Sequence, residues 1–392
     1  MLIPLAALAG FGSFAPLTAQ GAPAATPALS VKWHGALWAS LAASNREAPD
    51  GSLFLRGMDA GEGQLALDGL AFGADIALTE GWSFRFTLLG GQDAKVLALA
   101  GGESGSITYP EAMLIWTGPR DVLRVGRMYT FMGMEFMDHT QDVTASRGLL
   151  FTYAIPIDQV GVAWHHTYSP QWSSDVWIFN GENRVQDNNR GKTVGLGLNY
   201  NHGGAAGKYA SLMLYRGAEQ DGHGPNAVPG AEGRLRERAC LLGGWEWGAT
   251  TLAVEVESAK EKLPDGALAG APAGPVTARW SGAGLILKHT LDERWAFYLR
   301  AETFKDDQGW MLASDPAIAQ PGRVGPGVIR WSNTYGADLK ATSFAVGAER
   351  KWGPTFSRLE IRRDALNRAV QDQDQRVFKD ATSLTWSLGT SF

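Results

Sequence analysis

Residues 384–392 read LTWSLGTSF, and their side chains alternate between two chemical kinds. One side of the alternation carries Leu384, Trp386, Leu388, Thr390 and Phe392, and the other carries Thr385, Ser387, Gly389 and Ser391. A period of two residues is typical of a β-strand with two different faces. A strand in water rarely keeps one face so apolar and aromatic up to its last residue. The segment therefore indicates a strand with one face in an apolar environment.

The same alternation recurs through the chain, while helical periodicity is scarce. It is clearest in WSFRFTLLG at 82–90, GKTVGLGLNY at 191–200, TTLAVEVES at 250–258 and RWAFYLRAETF at 294–304. An antiparallel sheet with one solvated face gives the same pattern. Alternation alone therefore predicts an all-β protein but does not place it in a membrane.

The connections between these segments alternate in length. Short turns are predicted at 79–81, 118–121, 169–171, 201–207, 248–250, 292–294 and 353–354. Long polar connections are predicted at 45–63, 90–106, 131–158, 180–191, 217–234, 260–276, 306–335 and 364–378. Outer-membrane barrels separate short periplasmic turns from long extracellular loops in this way. We predict a transmembrane antiparallel up-and-down β-barrel of about 16 strands, within a range of roughly 14 to 18.

Tryptophan is concentrated beside the short turns. Six of the fifteen tryptophans directly follow or precede one: Trp82, Trp116, Trp172, Trp247, Trp295 and Trp352. Tryptophan rings prefer the membrane–water interface, where an apolar ring meets a polar edge. These six residues therefore predict a periplasmic aromatic girdle.

Composition removes several classes of protein. A net charge of -5 argues against a nucleic-acid partner, and a single cysteine allows no intramolecular disulfide. After the first few dozen residues, no apolar run is long enough for a membrane-spanning helix. Residues 1–25 resemble a secretory signal peptide without its usual basic start, so we expect residues 26–392 to form one barrel.

Charged side chains on the polar faces are the candidates for the lumen, since charge facing lipid is costly. The predicted pore-lining residues on the wall are Arg85, Arg127, Arg300, Glu302, Arg358, Glu360, Arg362 and Asp364, with Glu255, Glu257 and Glu349 as further lumen charges. They could brace the wall as ion pairs or set the field of a pore, and the sequence leaves both readings open.

The connection at 131–158 is too apolar to extend into water. We expect it to fold into the lumen and constrict the pore, with Glu135, Asp138 and Asp142 facing the wall arginines Arg127, Arg300, Arg358 and Arg362. Packing on the outer surface or on a neighbouring subunit is the alternative.

Enzymatic, metal and cofactor sites are not predicted. His165 and His166 are adjacent in a strand, so they point to opposite faces and cannot share one metal. No Gly-rich phosphate loop or HExxH segment occurs. The oxygen-rich stretch 180–189 matches no EF-hand spacing, which favours a solvated external loop.

Four stretches resemble the OmpL-like β-barrel porin family. They are LRVGRMYTFMGME at 123–135, SRGLLFTYAIPIDQVGV at 146–162, WIFNGENRVQDNNRGKTVGLGLNY at 177–200 and ATSFAVGAERKWGPTFSRLEIRRD at 341–364, where Arg363 replaces a commoner aromatic residue. The resemblance implies an outer-membrane diffusion channel for small solutes and carries no catalytic residue. In outer-membrane proteins generally, a final strand like this one implies that Phe392 is an assembly signal.

The combined hypothesis is an outer-membrane porin that lets small hydrophilic solutes diffuse through a water-filled lumen. A plugged or export-type barrel serving polysaccharide or other secretion is the alternative, followed by an outer-membrane hydrolase. Expected partners are outer-membrane lipid, lipopolysaccharide, the barrel-assembly machinery and small solutes. A homotrimer is expected by analogy of fold alone. The last strand should pair with the first, near residues 31–40.

Overall fold

The computed structural model describes residues 29–392 except 49, 60, 101–104, 202–206, 223–226, 316–317, 319–332, 373 and 375. The predicted signal peptide at 1–25 lies outside the described residues. Sixteen strands form a closed antiparallel barrel in which each strand pairs with its neighbours in sequence. The strands are β1 Ser30–Ser44, β2 Leu65–Thr79, β3 Trp82–Gly90, β4 Ile107–Thr117, β5 Asp121–Tyr129, β6 Asp158–Thr167, β7 Trp172–Phe179, β8 Thr193–Tyr200, β9 Lys208–Ala218, β10 Leu235–Trp247, β11 Thr250–Leu263, β12 Val276–Thr290, β13 Trp295–Asp306, β14 Leu339–Trp352, β15 Thr355–Gln371 and β16 Val377–Ser391.

The helical segments are short and lie in the long connections. Among the described residues they comprise one α-helix, α1 Gln92–Ala100, a π-helical turn Leu150–Ala154, and 3₁₀ turns at Ala231–Gly233 and Leu312–Ser314. Within the described ranges, no helix is long and apolar enough to cross a membrane.

The barrel closes between β1 and β16, as predicted. The register runs from Ala36 opposite Ser391 to Ser44 opposite Ser383. Beyond it, the Phe392 N–H donates to the Gly35 carbonyl oxygen at 2.9 Å, and the Gly35 N–H donates back to Phe392 at 3.3 Å. The seam therefore stays hydrogen-bonded to the last residue, which a sheet in lipid requires.

The sixteen strands and the seven short turns match the sequence prediction, but the last outer connection is shorter than expected. It covers only residues 372–376, because β15 continues to Gln371. The extension carries buried Leu366 and Val370, and the nearby Phe378 ring meets Phe54 at 5.0 Å. Apolar packing against a loop inside the barrel thus keeps residues 364–371 in the strand.

Each strand has an outward face exposed to its surroundings and an inward face that is mostly buried. On β16, Leu384 and Trp386 are exposed, whereas Thr385 and Ser387 are fully buried. Two long connections contribute much of the packed interior: the first loop (residues 45–64) and the inner loop (residues 130–157). The hydrophobic core of this barrel therefore lies inside the wall.

Candidate functional site

The inner loop contacts the wall at Arg300 of β13. Arg300 Nη1 lies 2.7 Å from Glu135 Oε1 and donates to Thr144 Oγ1 at 3.1 Å. Nη1 also donates to the Ser146 carbonyl oxygen, and Nη2 donates to the Ser146 hydroxyl at 3.1 Å. The guanidinium is 0% exposed. Loop and wall therefore touch directly here, with no aqueous gap between acid and arginine.

Two wall carboxylates hold the backbone of the same loop. Glu302 accepts the N–H groups of Leu149 and Leu150 at 2.9 and 3.1 Å, where the π-helical turn begins. Glu360 accepts the Ala145 N–H at 3.1 Å and the Ser146 hydroxyl. Carboxylates in these positions satisfy loop donors that would otherwise be buried without partners.

Arg358 and Arg362 of β15 bind carbonyl oxygens of the loop. Arg358 reaches the carbonyls of His139 and Thr144 at 3.0 and 3.2 Å, and pairs with Glu349 at 2.8 Å. Arg362 donates to the Arg147 carbonyl at 2.5 Å and to Asp364 at 2.8 Å. Both arginines are buried.

The remaining loop acids bind within the loop itself. Asp142 accepts the Phe136 N–H at 2.7 Å and lies 2.7 Å from His139 Nδ1. Asp138 accepts the backbone N–H and the hydroxyl of Thr140 at 3.0 and 2.7 Å. Of the three predicted loop acids, only Glu135 pairs with a predicted wall arginine.

Arg127 lies apart from this cluster. The preceding Gly126 has φ of 139°, and a Cβ there would lie 2.1 Å from the Ala112 carbonyl oxygen, so the position requires glycine. From this irregular backbone, Arg127 pairs with Asp158 at 2.5 Å, at the start of β6. Its Nη1 also donates to Thr108 at 3.2 Å.

Arg85 belongs to a different network, on the wall formed by β1–β4. Arg85 Nε lies 2.5 Å from Asp75 and its Nη1 lies 4.0 Å from Glu111. Thr87 donates to Glu111 at 2.7 Å, and His34 Nε2 lies 3.1 Å from Thr87 Oγ1. The side chains of His34, Asp75, Arg85 and Glu111 are 16–33% exposed, in contrast to the buried arginines of β13 and β15.

A second network continues around the wall. His165 of β6 lies 2.8 Å from Asp175 of β7, and Asn199 of β8 donates to Asp175 at 2.6 Å. His166 turns the other way and lies 2.7 Å from Asp121. The prediction that the two histidines point to opposite faces is confirmed.

An acidic and basic cluster at the extracellular mouth is absent from the sequence prediction. Glu182 lies 2.6 Å from Arg236 and 2.9 Å from Arg238. Burial raises the pKa of Glu182, but the two arginines outweigh it and lower the pKa to about 2. Burial and the nearby Glu182 raise the pKa of Glu219 to about 7. Glu182 of the stretch 180–189 thus binds the wall. In the sequence, the only indication of this contact was the alternation of side chains on β10, which directs Arg236 and Arg238 inward.

All six predicted girdle tryptophans lie beside short turns. Five are exposed by 36–48%: Trp82, Trp172, Trp247, Trp295 and Trp352. Trp116 pairs with Trp82 across β3 and β4. The Arg350 guanidinium lies over the rings of Trp295 and Trp352, at 5.3 and 4.8 Å from their centroids.

No group of three or more His, Cys, Asp or Glu side chains in the described part of the chain could hold a metal ion.

A family comparison decides the class of this barrel. The family model "Putative beta-barrel porin-2, OmpL-like" matches residues 62–392, which is most of the chain. The chain belongs to this family. It is an outer-membrane β-barrel porin of the bacterial cell, and the resemblance seen in the sequence is confirmed.

Solved porin structures share the fold at low identity. OmpT of Vibrio cholerae, folded in vitro and in its trimer form, is 10% identical with a TM-score of 0.55, covering 93% of this chain and 100% of OmpT. The channel DcaP of Acinetobacter baumannii is 10% identical with a TM-score of 0.57, and the match covers 94% of this chain and 99% of DcaP. Salmonella typhi OmpF, solved with daunomycin, is 11% identical with a TM-score of 0.57, and the match covers 92% of this chain and 97% of OmpF. No curated protein sequence matches the chain.

Proposed function

We propose that this porin conducts small hydrophilic solutes by passive diffusion, without catalysis, along the inward wall of β1–β4. The observation that carries the proposal is the uneven exposure of the inward charges. His34, Asp75, Arg85 and Glu111 keep 16–33% of their surface exposed, whereas Arg300 keeps none. Charges that stay hydrated inside a barrel can exchange contacts with a passing solute.

The inner loop is the constriction in this proposal. Its backbone is bound by Arg300, Glu302, Arg358, Glu360 and Arg362, which leaves these side chains no surface for solutes. We therefore infer that these five side chains hold the loop against β13–β15. The passage that remains lies between the loop and the opposite wall, so Arg85 is a wall arginine that solutes meet.

Arg85→Gln is expected to make the channel more cation-selective. The change removes the Arg85 guanidinium from beside Asp75 and Glu111, so the local potential becomes more negative. We expect the K⁺/Cl⁻ permeability ratio to rise about two- to fivefold. Reversal potentials in a salt gradient across planar bilayers measure it, and Asp75→Asn should shift the potential the opposite way.

Arg363→Gln provides the matched control. Arg363 faces outward at the same wall height as the buried cluster and is 66% exposed. Its replacement should leave the reversal potential unchanged. If Arg85→Gln behaves like this control, the solute path does not follow β1–β4. Folded protein that never conducts would reject diffusion altogether.

A plugged barrel serving export is the second candidate, favoured by the dense packing of the inner loop. Leu149, Leu150 and Phe151 are buried inside the wall. Absent conductance of the wild-type protein, together with large conductance after removal of the loop, would support this candidate.

We propose a homotrimer, assembled through β3–β8. These strands are mostly shorter than β9–β16, and their outer ends expose Leu88, Ile107, Ile178 and Val194. OmpT of Vibrio cholerae, which shares the fold, has a trimer form. Cross-linking in mild detergent should give a species of about three chains, and Ile178→Lys with Val194→Lys should reduce it to monomer. A wild-type monomer would reject the trimer.

A further inference from the structure

The outward face of the barrel differs between its two halves at the extracellular end. On β9–β14, the outer ends carry six basic side chains, here called the basic rim: Arg216, Lys260, Lys262, Arg279, Lys305 and Lys340. On β1–β8, the corresponding ends expose apolar side chains, among them Leu41, Leu65, Leu88, Ile107 and Val194. The basic residues alternate with buried inward neighbours such as Ala259, Trp280 and Leu339, so they face outward.

Strand register places like charges side by side in the basic rim. Lys260 is directly opposite Arg279, and Lys305 is directly opposite Lys340. Like charges in directly opposite positions destabilise a sheet unless a counter-charge lies between them. The arrangement therefore indicates that something anionic belongs there.

The chain itself supplies only part of that counter-charge. Glu237 lies 2.7 Å from Lys260 and 3.4 Å from Arg216. Asp307 and Asp338 lie 2.8 and 3.4 Å from Lys305. Across the ranges that the structure describes, Lys262, Arg279 and Lys340 have no carboxylate within ion-pair distance. The six basic side chains of the rim thus outnumber the acids Glu237, Asp307 and Asp338 that pair with them, and they lie beside the lipid-facing surface.

The shape around these residues fits an amphipathic anion. Lys260, Arg279 and Lys305 line an open groove of about 570 Å³, together with Glu237, Asp307, Ser258 and Ser281. Directly below the groove, towards the periplasm, the outward face is apolar. Its residues are 41–52% exposed and include Leu212, Leu214, Leu241, Val256, Phe344 and Val346.

We propose that the basic rim binds the phosphate groups of a phosphorylated glycolipid of the outer leaflet. Arginine and lysine at this height reach phosphate oxygens, while the serine hydroxyls of the groove add hydrogen-bond donors. The acyl chains of the same lipid lie along the apolar band beneath. The lipid phosphate supplies counter-charge to Lys262, Arg279 and Lys340, which form no ion pair within the described residues. The inference rests on the outer-membrane location and is independent of conductance.

Binding of purified diphosphorylated glycolipid to the full-length barrel in detergent tests the site. Native mass spectrometry compares this lipid with the same lipid after chemical removal of its phosphates. We expect phosphate-dependent binding that weakens about a hundredfold in the triple variant Lys260→Gln, Arg279→Gln, Lys340→Gln, since each cation near a lipid surface contributes about a fivefold factor. Arg350→Gln, an outward basic residue at the periplasmic end, is the matched control and should bind like wild type.

Each alternative result has a definite meaning. Equal binding of the dephosphorylated lipid would overturn the proposal, because the apolar band alone would then explain it. Unchanged binding by the triple variant, with phosphate still required, would also overturn it. A change from oligomer to monomer in the triple variant would identify the surface as a subunit interface instead. If the triple variant fails to fold, the single variant Arg279→Gln, with an expected loss of about fivefold, replaces it.

Discussion

Replacing Arg300 with alanine is expected to raise single-channel conductance several-fold. Arg300 is the only described wall side chain that binds Glu135, and it also binds Thr144 and Ser146. Its removal leaves the carboxylates of Glu135 and Glu302 buried without their cation. Breaking a buried pair in this way costs about 3–5 kcal/mol. The loop can avoid that cost by moving out of the lumen, which widens the passage.

Conductance steps in planar bilayers measure the change, and proteolysis of the inner loop reports its release. Arg300→Lys should give an intermediate step, because lysine keeps the charge but lacks the fork that spans Glu135 and Ser146. Arg363→Ala, which removes an exposed outward arginine, should leave the step size unaltered. Equal step sizes for Arg300→Ala and wild type, despite loop release, would show that the inner loop does not limit the pore.

Deleting Phe392 is expected to lower the yield of assembled barrel about ten- to a hundredfold. The deletion removes two backbone hydrogen bonds to Gly35 at the seam, each contributing roughly 0.5–1.5 kcal/mol. It also removes the ring that covers Gly35, where a Cβ would lie 2.5 Å from the ring atoms. The first and last strands would then separate beside Gly35, which leaves backbone groups unpaired at the seam.

Heat-modifiable migration on gels measures the assembled fraction in membranes. Phe392→Tyr keeps the backbone pair and the ring, so it should assemble like wild type. The few barrels that form without Phe392 should conduct normally, because the residue is 76% exposed on the outer surface and far from the inner loop. Normal assembly of the deletion variant would reject the seam argument.

Patterns among neighbouring residues of the sequence were sufficient to predict the strands. Side chains on a strand alternate with a period of two, so LTWSLGTSF reveals its two faces without any tertiary information. Turn lengths and flanking tryptophans are equally local, and they predicted the closed barrel and its sixteen strands. The seam between β1 and β16 followed because lipid leaves no backbone group unpaired.

Local rules could not say what lies against the inward face. The alternation of Arg358, Glu360 and Arg362 predicts that they point inward, but water and a packed loop give the same pattern. Glu135 and Arg300 are 165 residues apart, so their contact depends on how the inner loop folds back.

The sequence by itself determined a membrane barrel with one lipid face, because hydrocarbon imposes a strict local pattern on every strand. The tertiary structure alone decided which charges contact the inner loop and which remain partly exposed. It also decided that Gly126 directs Arg127 towards Asp158, and that Lys260 and Arg279 meet across two strands. These features depend on register and loop packing, which join residues that no local pattern relates.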